Sequence, residues 1–256
     1  MSMKTFAPAA TGPLFAALLA AAAPNAAAHS YIAARPLVIY PIFAQYRIVH
    51  ACYPLNGTTV KPVIAHSFLM PTVNPILSRP DGGTIEDTDK NGKVELIDII
   101  QSGGLQENIV PFVNHSVFKE LQRKTDPLGN TIGFSGTEGN VPDKYWADIP
   151  FTIMPVFFNP DSCVSELVVH PVGADICRLT GVPDYGDANL WMEHPTAKFP
   201  NYVHGIGENG LSIDFKRSKK YNPMKKRCGA GYKVDVFASD EDIDANLPIP
   251  GIWPKP

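Results

Sequence analysis

The chain has 256 residues, which is enough for one sizeable domain, and a formal net charge of −3. This charge balance provides no global positive field and argues against a nucleic-acid-binding protein. Beyond the first 28 residues, no run is long and apolar enough to span a bilayer, so no transmembrane segment is expected after them.

The first 28 residues have the layout of a secretory signal. Lys4 supplies a short positive region, residues 13–23 are apolar, and Ala26, Ala27 and Ala28 satisfy the small-residue rule for signal peptidase. The apolar run is shorter than the roughly 20 residues that a membrane anchor needs. We expect residues 1–28 to be removed on export, leaving a periplasmic or secreted chain that begins at His29.

The remaining sequence favours an all-β fold. Its 25 prolines and 20 glycines leave little room for long helices. Short runs rich in Val, Ile, Phe and Tyr recur between turn signals, which is typical of an antiparallel β-sandwich. Val94–Gln101 and Ser116–Arg123 are compatible with short helices, and the second is equally compatible with a strand. The predicted strands are Leu37–Tyr40, Tyr46–His50, Val63–Phe68, Thr131–Phe134, Phe151–Phe158, Glu166–His170 and Tyr232–Phe237.

The sandwich is predicted over residues 29–197, with a polar, glycine-containing insertion at 76–108. Residues 198–256 are predicted to be a C-terminal extension packed on the sandwich. This extension carries a basic cluster, interpreted as a solvated hairpin turning at Asn222-Pro223, or alternatively as a surface for an acidic partner or anionic lipid. The cluster consists of Lys216, Arg217, Lys219, Lys220, Lys225, Lys226 and Arg227.

Four cysteines remain in the exported chain: Cys52, Cys163, Cys177 and Cys228. An even number in an exported protein predicts two disulfides. Three pairings are possible, and the spacing does not choose between them. Because no C-x-x-C motif is present, neither a zinc ribbon nor a thioredoxin-type site is expected.

The new N-terminus created by cleavage has specific chemistry. The α-amine nitrogen and the imidazole Nδ1 of an N-terminal His29 can chelate one metal ion. An α-amine has a pKa of about 8, so much of it is available as a neutral donor near neutral pH. Nitrogen donors in tetragonal geometry favour Cu(II), so the sequence predicts a copper ligand here, with an inert terminus as the alternative.

Seven segments between residues 29 and 197 together resemble the YcnI-like copper-binding domain family, in its proteobacterial form. They are His29–Pro36, Tyr46–Cys52, Pro62–Pro71, Gly133–Gly136, Val141–Phe151, Val168–Cys177 and Asn189–Pro195. The resemblance implies an immunoglobulin-like or cupredoxin-like sandwich. It also implies a single-histidine brace, in which His29 supplies two nitrogens to the metal.

The resemblance also implies further ligands. Asp148 falls where the family has a metal-binding Glu, and Trp191 falls on its site tryptophan. Because Asp148 is one methylene shorter, either its strand lies closer or the metal is held more weakly; His50 and His194 are spare imidazoles nearby. A turn aspartate and a core aromatic are the alternatives for Asp148 and Trp191. The lone histidines are otherwise interpreted as ordinary surface or core residues, and this is also the alternative for His50: His50, His66, His115, His170 and His204.

The same resemblance implies how the cysteines pair. Cys52 and Cys177 have counterparts in the family, so these two would form one disulfide. Cys163 would then pair with Cys228 and tie the C-terminal extension to the sandwich.

A second metal site is predicted in the insertion, where residues 87–98 fit a calcium-loop pattern. Oxygen-bearing side chains occupy loop positions one, three and five, Gly92 occupies position six, and Asp98 closes the loop at position twelve. A polar hairpin turn around Asn91-Gly92 is the alternative. The predicted calcium ligands are Asp87, Asp89, Asn91, Lys93 and Asp98.

These features favour a binding protein over an enzyme. We expect an exported copper-binding protein for periplasmic copper homeostasis or delivery, with a copper chaperone or a cuproenzyme as partner. One alternative is a histidine-brace oxidase or oxygenase, which requires a second imidazole and an open metal position. The other is a calcium-stabilised surface or adhesion module. Hydrolase motifs are absent, since Gly133-Phe134-Ser135-Gly136 lacks the G-x-S-x-G spacing and neither H-E-x-x-H nor a P-loop occurs.

Overall fold

A computed structural model describes residues 29–55, 59–207 and 210–255. The predicted signal segment lies outside the described residues. The strands are β1 (Tyr31–Ala33), β2 (Ile42–Ile48), β3 (Ala65–Leu69), β4 (Ile76–Ser78), β5 (Ile109–Pro111), β6 (Phe118–Thr125), β7 (Thr131–Gly139), β8 (Ala147–Ile153), β9 (Val164–His170), β10 (Val172–Ile176), β11 (Ala188–Trp191), β12 (Ile213–Lys216) and β13 (Tyr232–Phe237). The helices are α1 (Leu96–Ile99) and α2 (Asp240–Asn246), with a 3₁₀ turn at Lys226–Cys228.

The strands form three sheets in a sandwich-like, all-β arrangement, which confirms the predicted fold class. The first sheet has the order β1-β2-β8-β5, the second β11-β10-β3-β7-β6, and the third β12-β9-β13-β4. Pairing is antiparallel within the first two sheets. In the third sheet β13 runs parallel to β9, so that sheet is mixed.

Side-chain alternation explains how the first sheet packs. In β2, Ile42, Ala44, Tyr46 and Ile48 are buried and the residues between them are not. β8 follows the same period of two. By contrast, every residue of β3 and β10 is buried, because the second sheet is covered on both faces. The two sheets meet in an aromatic core, where the ring of Phe151 in the first sheet lies 5.5 Å from Phe68 and 5.4 Å from Phe134 in the second, between centroids.

The structure decides two of the secondary-structure predictions, one in favour of a strand and one in favour of a loop. The segment Ser116–Arg123 is largely strand β6, so the strand alternative is correct there. The predicted strand Leu37–Tyr40 is wrong: only Leu37 pairs, in an isolated bridge with Phe215. Pro36 and Pro41 flank this run, and proline has no amide to donate to a ladder.

The predicted basic hairpin in the C-terminal segment is also wrong. β12 and β13 lie on opposite sides of β9 and do not pair with each other. Arg217 is buried rather than solvated. Its guanidinium donates to the backbone carbonyls of Ser162 and Asn222, because five N–H groups can satisfy several carbonyls at a turn.

The third sheet joins three parts of the chain that the sequence treats separately. β9 lies within residues 29–197, β4 comes from segment 76–108, and β12 and β13 come from the C-terminal segment. A disulfide between Cys163 and Cys228 fastens the start of β9 to the turn before β13. The other disulfide joins Cys52 to Cys177, so both pairs are those that the family resemblance implies. No helix within the described ranges is long and apolar enough to cross a membrane.

His66 in β3 is a fully buried titratable group in this core. Burial is the main cause that lowers its pKa to about 3, and the positive charge of Lys124 adds to the effect. The folded protein therefore keeps this imidazole neutral where an unfolded chain would protonate it. The stability that results is lost as the pH falls from about 6.5 towards about 3.

We therefore expect acid to destabilise the native protein more than a His66→Leu variant. Between pH 7 and pH 4.5 the free energy of unfolding of the native protein should fall by about 2–3 kcal/mol more than that of the variant. Urea unfolding at both pH values measures this difference. Equal losses in the two proteins would show that His66 does not titrate as a buried group.

Candidate metal centre

Three histidines from distant parts of the chain meet around Trp191. His29 opens the described chain, His50 follows β2, and His204 lies in a turn after β11. The ring of His204 lies 6.1 Å from that of His29 and 5.2 Å from that of His50, between centroids. The Trp191 ring lies 5.4 Å from both His29 and His204 and 6.1 Å from His50. We call these four residues the histidine cluster.

The strand pairing brings the cluster together. β1 runs antiparallel to β2 with Tyr31 opposite Arg47, so His29, two residues before β1, and His50, two residues after β2, lie at the same end of the sheet. The loop after β11 returns to its own strand, where the Leu190 amide donates to the His204 carbonyl. Gly205 makes this return feasible, since its φ is +96° and a Cβ there would lie 2.5 Å from the Leu190 carbonyl oxygen.

The hydrogen bonds of His50 fix its tautomer. Its Nδ1 lies 2.6 Å from the Ala51 carbonyl oxygen, which can only accept, so Nδ1 carries the proton. The Asn189 side-chain amide makes a longer contact of 3.5 Å with the same nitrogen. In the neutral ring Nε2 then holds the lone pair, and this nitrogen is buried with no hydrogen-bond partner among the described residues. A neutral imidazole whose other nitrogen donates to a carbonyl is the usual form of a metal-binding histidine.

A buried carboxylate is hydrogen-bonded to Trp191 of the cluster and to the neighbour of His29. Asp175, in the middle of β10, accepts hydrogen bonds from Ser30 Oγ at 2.7 Å, Tyr46 Oη at 2.5 Å and Trp191 Nε1 at 2.7 Å. Burial raises the pKa of Asp175 above its ordinary value, although the three donors and the nearby His50 act in the opposite direction. This one side chain therefore fixes the tryptophan of the cluster and the residue next to His29.

The cluster borders a cavity of about 340 Å³. His50 and His204 line it together with Tyr53, Tyr185 and Asn189. Two imidazoles and two phenols in one cavity give a small molecule or ion access to the donor nitrogens.

The ring spacing fits a shared metal ion. A metal–nitrogen bond of about 2 Å puts an imidazole centre about 3 Å from the ion, so two ligands of one ion have centres up to about 6 Å apart. The 5.2 Å separation of His204 from His50 lies below this limit, and the 6.1 Å separation of His204 from His29 lies at it. The donor set consists of imidazole nitrogens, which suit copper, zinc and nickel.

Asp148, the carboxylate that the resemblance assigns to the metal, has a different partner. Its two oxygens accept from Arg47 Nε at 2.5 Å and Arg47 Nη2 at 2.8 Å, across the β2–β8 pair. Arg47 also donates to the hydroxyl of Tyr31. The structure therefore places Asp148 in a two-pronged ion pair within the first sheet, whereas Trp191 belongs to the second.

Of the two spare imidazoles, the structure brings only one to the cluster. His50 is part of it, while His194 is exposed and contacts Asp240 at 2.7 Å. The sequence indicates an ordinary histidine at position 204, because the return of the 193–204 loop, which brings His204 to the cluster, has no local sequence signal. Asp175 was missed as well, although a lone acidic residue in the apolar run Val172–Ile176 is a signal of a buried polar network.

The predicted calcium loop brings part of its ligand set together. Asp87, Asp89 and Asp98 place ligand oxygens within 4.8 Å of one another. The amides of Asn91 and Gly92 donate to Asp87, and the Lys93 amide donates to the Asn91 side-chain oxygen. Gly92, with a φ of +86°, makes the sharp turn that the pattern requires.

The carboxylates of this loop influence one another. A hydrogen bond from the Asn91 amide lowers the pKa of Asp89, but desolvation and the adjacent Asp87 and Asp98 outweigh it, and the net pKa is raised. Asp98 also accepts from the amides of Thr88, Asp89 and Glu95, and its bond to Glu95 caps the start of helix α1. The loop is thus a folded acidic turn in which negative charge accumulates.

No family model, no curated protein and no solved structure matches the chain. The resemblance to the YcnI-like family therefore stays a prediction from the sequence.

We expect Asp175→Asn to destabilise the protein by about 2–4 kcal/mol, because an amide places a donor where three donors converge. Urea unfolding followed by tryptophan fluorescence measures the loss. Asp148→Asn is the matched control, since a partly exposed ion pair contributes only about 0–1 kcal/mol. Similar losses in both variants would contradict the structural role of Asp175.

Proposed function

We propose that this protein is an exported copper-binding protein that holds Cu(II) at the histidine cluster. The observation that carries the proposal is the convergence of His29, His50 and His204 on Trp191, with the lone pair of His50 Nε2 buried and without a hydrogen-bond partner among the described residues. Burying a polar nitrogen without a hydrogen-bond partner costs free energy, and a bound metal ion would act as that missing partner.

Cleavage after Ala28 would add a further donor. The α-amine of His29 would then lie on the same residue as an imidazole of the cluster, so His29 would supply two nitrogens. Imidazoles from His50 and His204 complete a nitrogen-rich set, and among divalent first-row metals such a set binds Cu(II) most tightly. A bound copper ion would hold the N-terminus against β2 and β11.

The proposal uses nitrogen ligands in place of the carboxylate that the resemblance implies. Asp148 is neutralised by Arg47, and drawing it to a metal would break a two-pronged ion pair. Trp191 keeps the place that the resemblance implies, beside His29, where it closes one side of the cluster. Its indole N–H is already donated to Asp175 and so is not available to a ligand.

Copper storage or delivery in the periplasm or outside the cell fits this chemistry. Both disulfides are typical of an oxidising compartment. A copper chaperone or a cuproenzyme is the partner that such a role requires. No proton-transfer group or nucleophile is needed for binding and release.

One observation favours a second function, a histidine-brace oxidase or oxygenase. That chemistry needs a second imidazole near the first, and His204 lies 6.1 Å from His29. The cavity of about 340 Å³ beside His50 and His204 offers space for a co-substrate. Oxygen consumption by the copper-loaded protein in the presence of ascorbate separates the two functions, because a storage protein shows only the background rate of a copper–peptide control.

The test uses the mature chain beginning at His29, titrated with Cu(II) and examined by electron paramagnetic resonance. We expect one tetragonal copper per chain with nitrogen couplings. Placing one extra residue before His29 removes the α-amine donor and should weaken binding at least about tenfold, since a lost ligand corresponds to more than about 1.4 kcal/mol.

Two matched variants locate the ligands. His50→Asn should lose copper affinity and nitrogen coupling, whereas His194→Asn, at an exposed histidine outside the cluster, should behave like the native chain. Asp148→Asn should also leave the spectrum unchanged. Loss of binding in Asp148→Asn with retention in His50→Asn would overturn the nitrogen-ligand assignment.

We propose in addition that the acidic turn at 87–98 holds Ca²⁺ and orders the 76–108 segment. Three clustered carboxylates, Asn91 and the loop backbone offer the hard oxygen ligands that calcium prefers. In such loops the seventh residue, here Lys93, contributes its backbone carbonyl. This site is structural and does not depend on copper.

Calcium at millimolar concentration should raise the melting temperature of the native chain and leave that of an Asp87→Asn, Asp89→Asn double variant unchanged, because ligand binding stabilises only the folded state that has the site. Asp126→Asn is the control at an acidic turn elsewhere. Identical melting temperatures with calcium and with a chelator in the native chain would exclude the site.

A further inference from the structure

The disulfide between Cys52 and Cys177 lies next to the histidine cluster in both sequence and space. Cys52 stands two residues after His50, and Cys177 stands two residues after Asp175. The Cys52 sulfur lies 3.7 Å from the backbone carbonyl oxygen of Asp175, and both cysteines are buried. One covalent bond therefore joins the segment that carries a cluster histidine to the strand that carries the carboxylate bonded to Trp191.

The segment that carries His50 has few other attachments. β2 ends two residues before His50. Over residues 49–55, backbone hydrogen bonds to other described segments are made by Cys52 alone, which exchanges two of them with Lys61. The ring of His50 donates to the carbonyl of its neighbour Ala51, so this bond ties the ring to its own segment. Cys52 thus supplies the covalent attachment and the backbone attachment nearest to His50.

The other end of the disulfide is held firmly. Cys177 directly follows β10, whose residues are all buried and which pairs with β3 on one side and β11 on the other. The Cys177 amide donates to the carbonyl of Asp187. The Asp187 carboxylate in turn pairs with Lys61 at 3.1 Å, opposite Cys52. The disulfide therefore fastens the His50 segment to a strand that is enclosed on both faces.

A metal site depends on such fastening. Metal–nitrogen bonds are about 2 Å long, and ligands must be held within about 0.5 Å of the productive geometry. His50 and His204 come from separate loops, so the 5.2 Å between their rings depends on how each loop is attached. The loop of His204 is attached through its carbonyl, which accepts from the Leu190 amide. The loop of His50 is attached through the disulfide.

We propose that the Cys52–Cys177 disulfide positions His50 for copper, and that the full donor set forms only after this bond has formed. This inference rests on the proposed function. The bond forms when the two thiols pass two electrons and two protons to an oxidising disulfide in the compartment to which the chain is exported. In a reducing cytosol the thiols persist, so the chain gains its copper affinity only after export.

The test compares two double variants that each lack one disulfide. Cys52→Ser, Cys177→Ser removes the bond beside the cluster, and Cys163→Ser, Cys228→Ser is the matched control, because that bond fastens the third sheet. In copper titrations the first variant should bind Cu(II) at least about tenfold more weakly than the native chain. Its electron paramagnetic resonance spectrum should show fewer nitrogen couplings, whereas the control keeps the native affinity and spectrum. Native binding in the first variant, or equal losses in both, would overturn the proposal.

A further substitution shows whether the bond acts through His50. His50→Asn weakens copper binding in the native chain, but in the Cys52→Ser, Cys177→Ser chain it should cause no further loss, because that ligand is already misplaced. A full additional loss would contradict the positioning role. A native chain that binds no copper is a different result, which refutes the proposed function itself.

One measurement uses the native chain and so needs no variant that could fail to fold. A bound ion and the disulfide should stabilise each other, because coupling between two sites is reciprocal. Imidazole nitrogens also hold Zn(II), which a phosphine does not reduce. One equivalent of Zn(II) should slow phosphine reduction of Cys52–Cys177 about fivefold and leave that of Cys163–Cys228 unchanged, as followed by alkylation and mass spectrometry. Equal rates with and without zinc for Cys52–Cys177 would also overturn the proposal.

Discussion

The candidate metal centre depends on one buried carboxylate. Asp175 lies in a fully buried strand, and an ionised carboxylate in that position requires hydrogen bonds to be tolerated. It receives them from Tyr46 in the first sheet, from Trp191 in its own sheet and from Ser30 at the start of the described chain. Because these donors come from separate elements, satisfying the charge of Asp175 also places His29 beside Trp191.

The parts of the fold that were predictable are those with a local pattern of residues in the sequence. β2 and β8 alternate between buried and exposed residues, and a pattern of period two is visible in sequence. The parallel pairing of β13 with β9 is a long-range contact that leaves no such pattern. The basic run at 216–227 shows that charge alone does not predict exposure, because Arg217 is buried and donates to backbone carbonyls. The sequence shows that a residue is charged, but the tertiary structure decides which backbone carbonyls lie within its hydrogen-bonding distance.

In the candidate site, too, local sequence signals were predictable and long-range contacts were not. His29 was predictable from the cleavage motif, and Asp87, Asp89 and Asp98 from their spacing within one loop, since both signals are local. Trp191 was placed by resemblance, and the structure puts it beside His29. His204 reaches the cluster only through a loop that returns over Gly205, and Asp148 is held by Arg47 from the neighbouring strand. Both outcomes depend on tertiary pairing, which neither residue type nor spacing encodes.

The central claim is that copper lies among His29, His50 and His204. The most direct test is a crystal structure of the mature, copper-loaded chain with anomalous diffraction recorded on both sides of the copper absorption edge. The account predicts one strong peak within bonding distance of a His50 nitrogen and of the His29 amine, next to the Trp191 ring. A peak on the Asp148 carboxylate with Arg47 displaced, or no peak near His50, would contradict it.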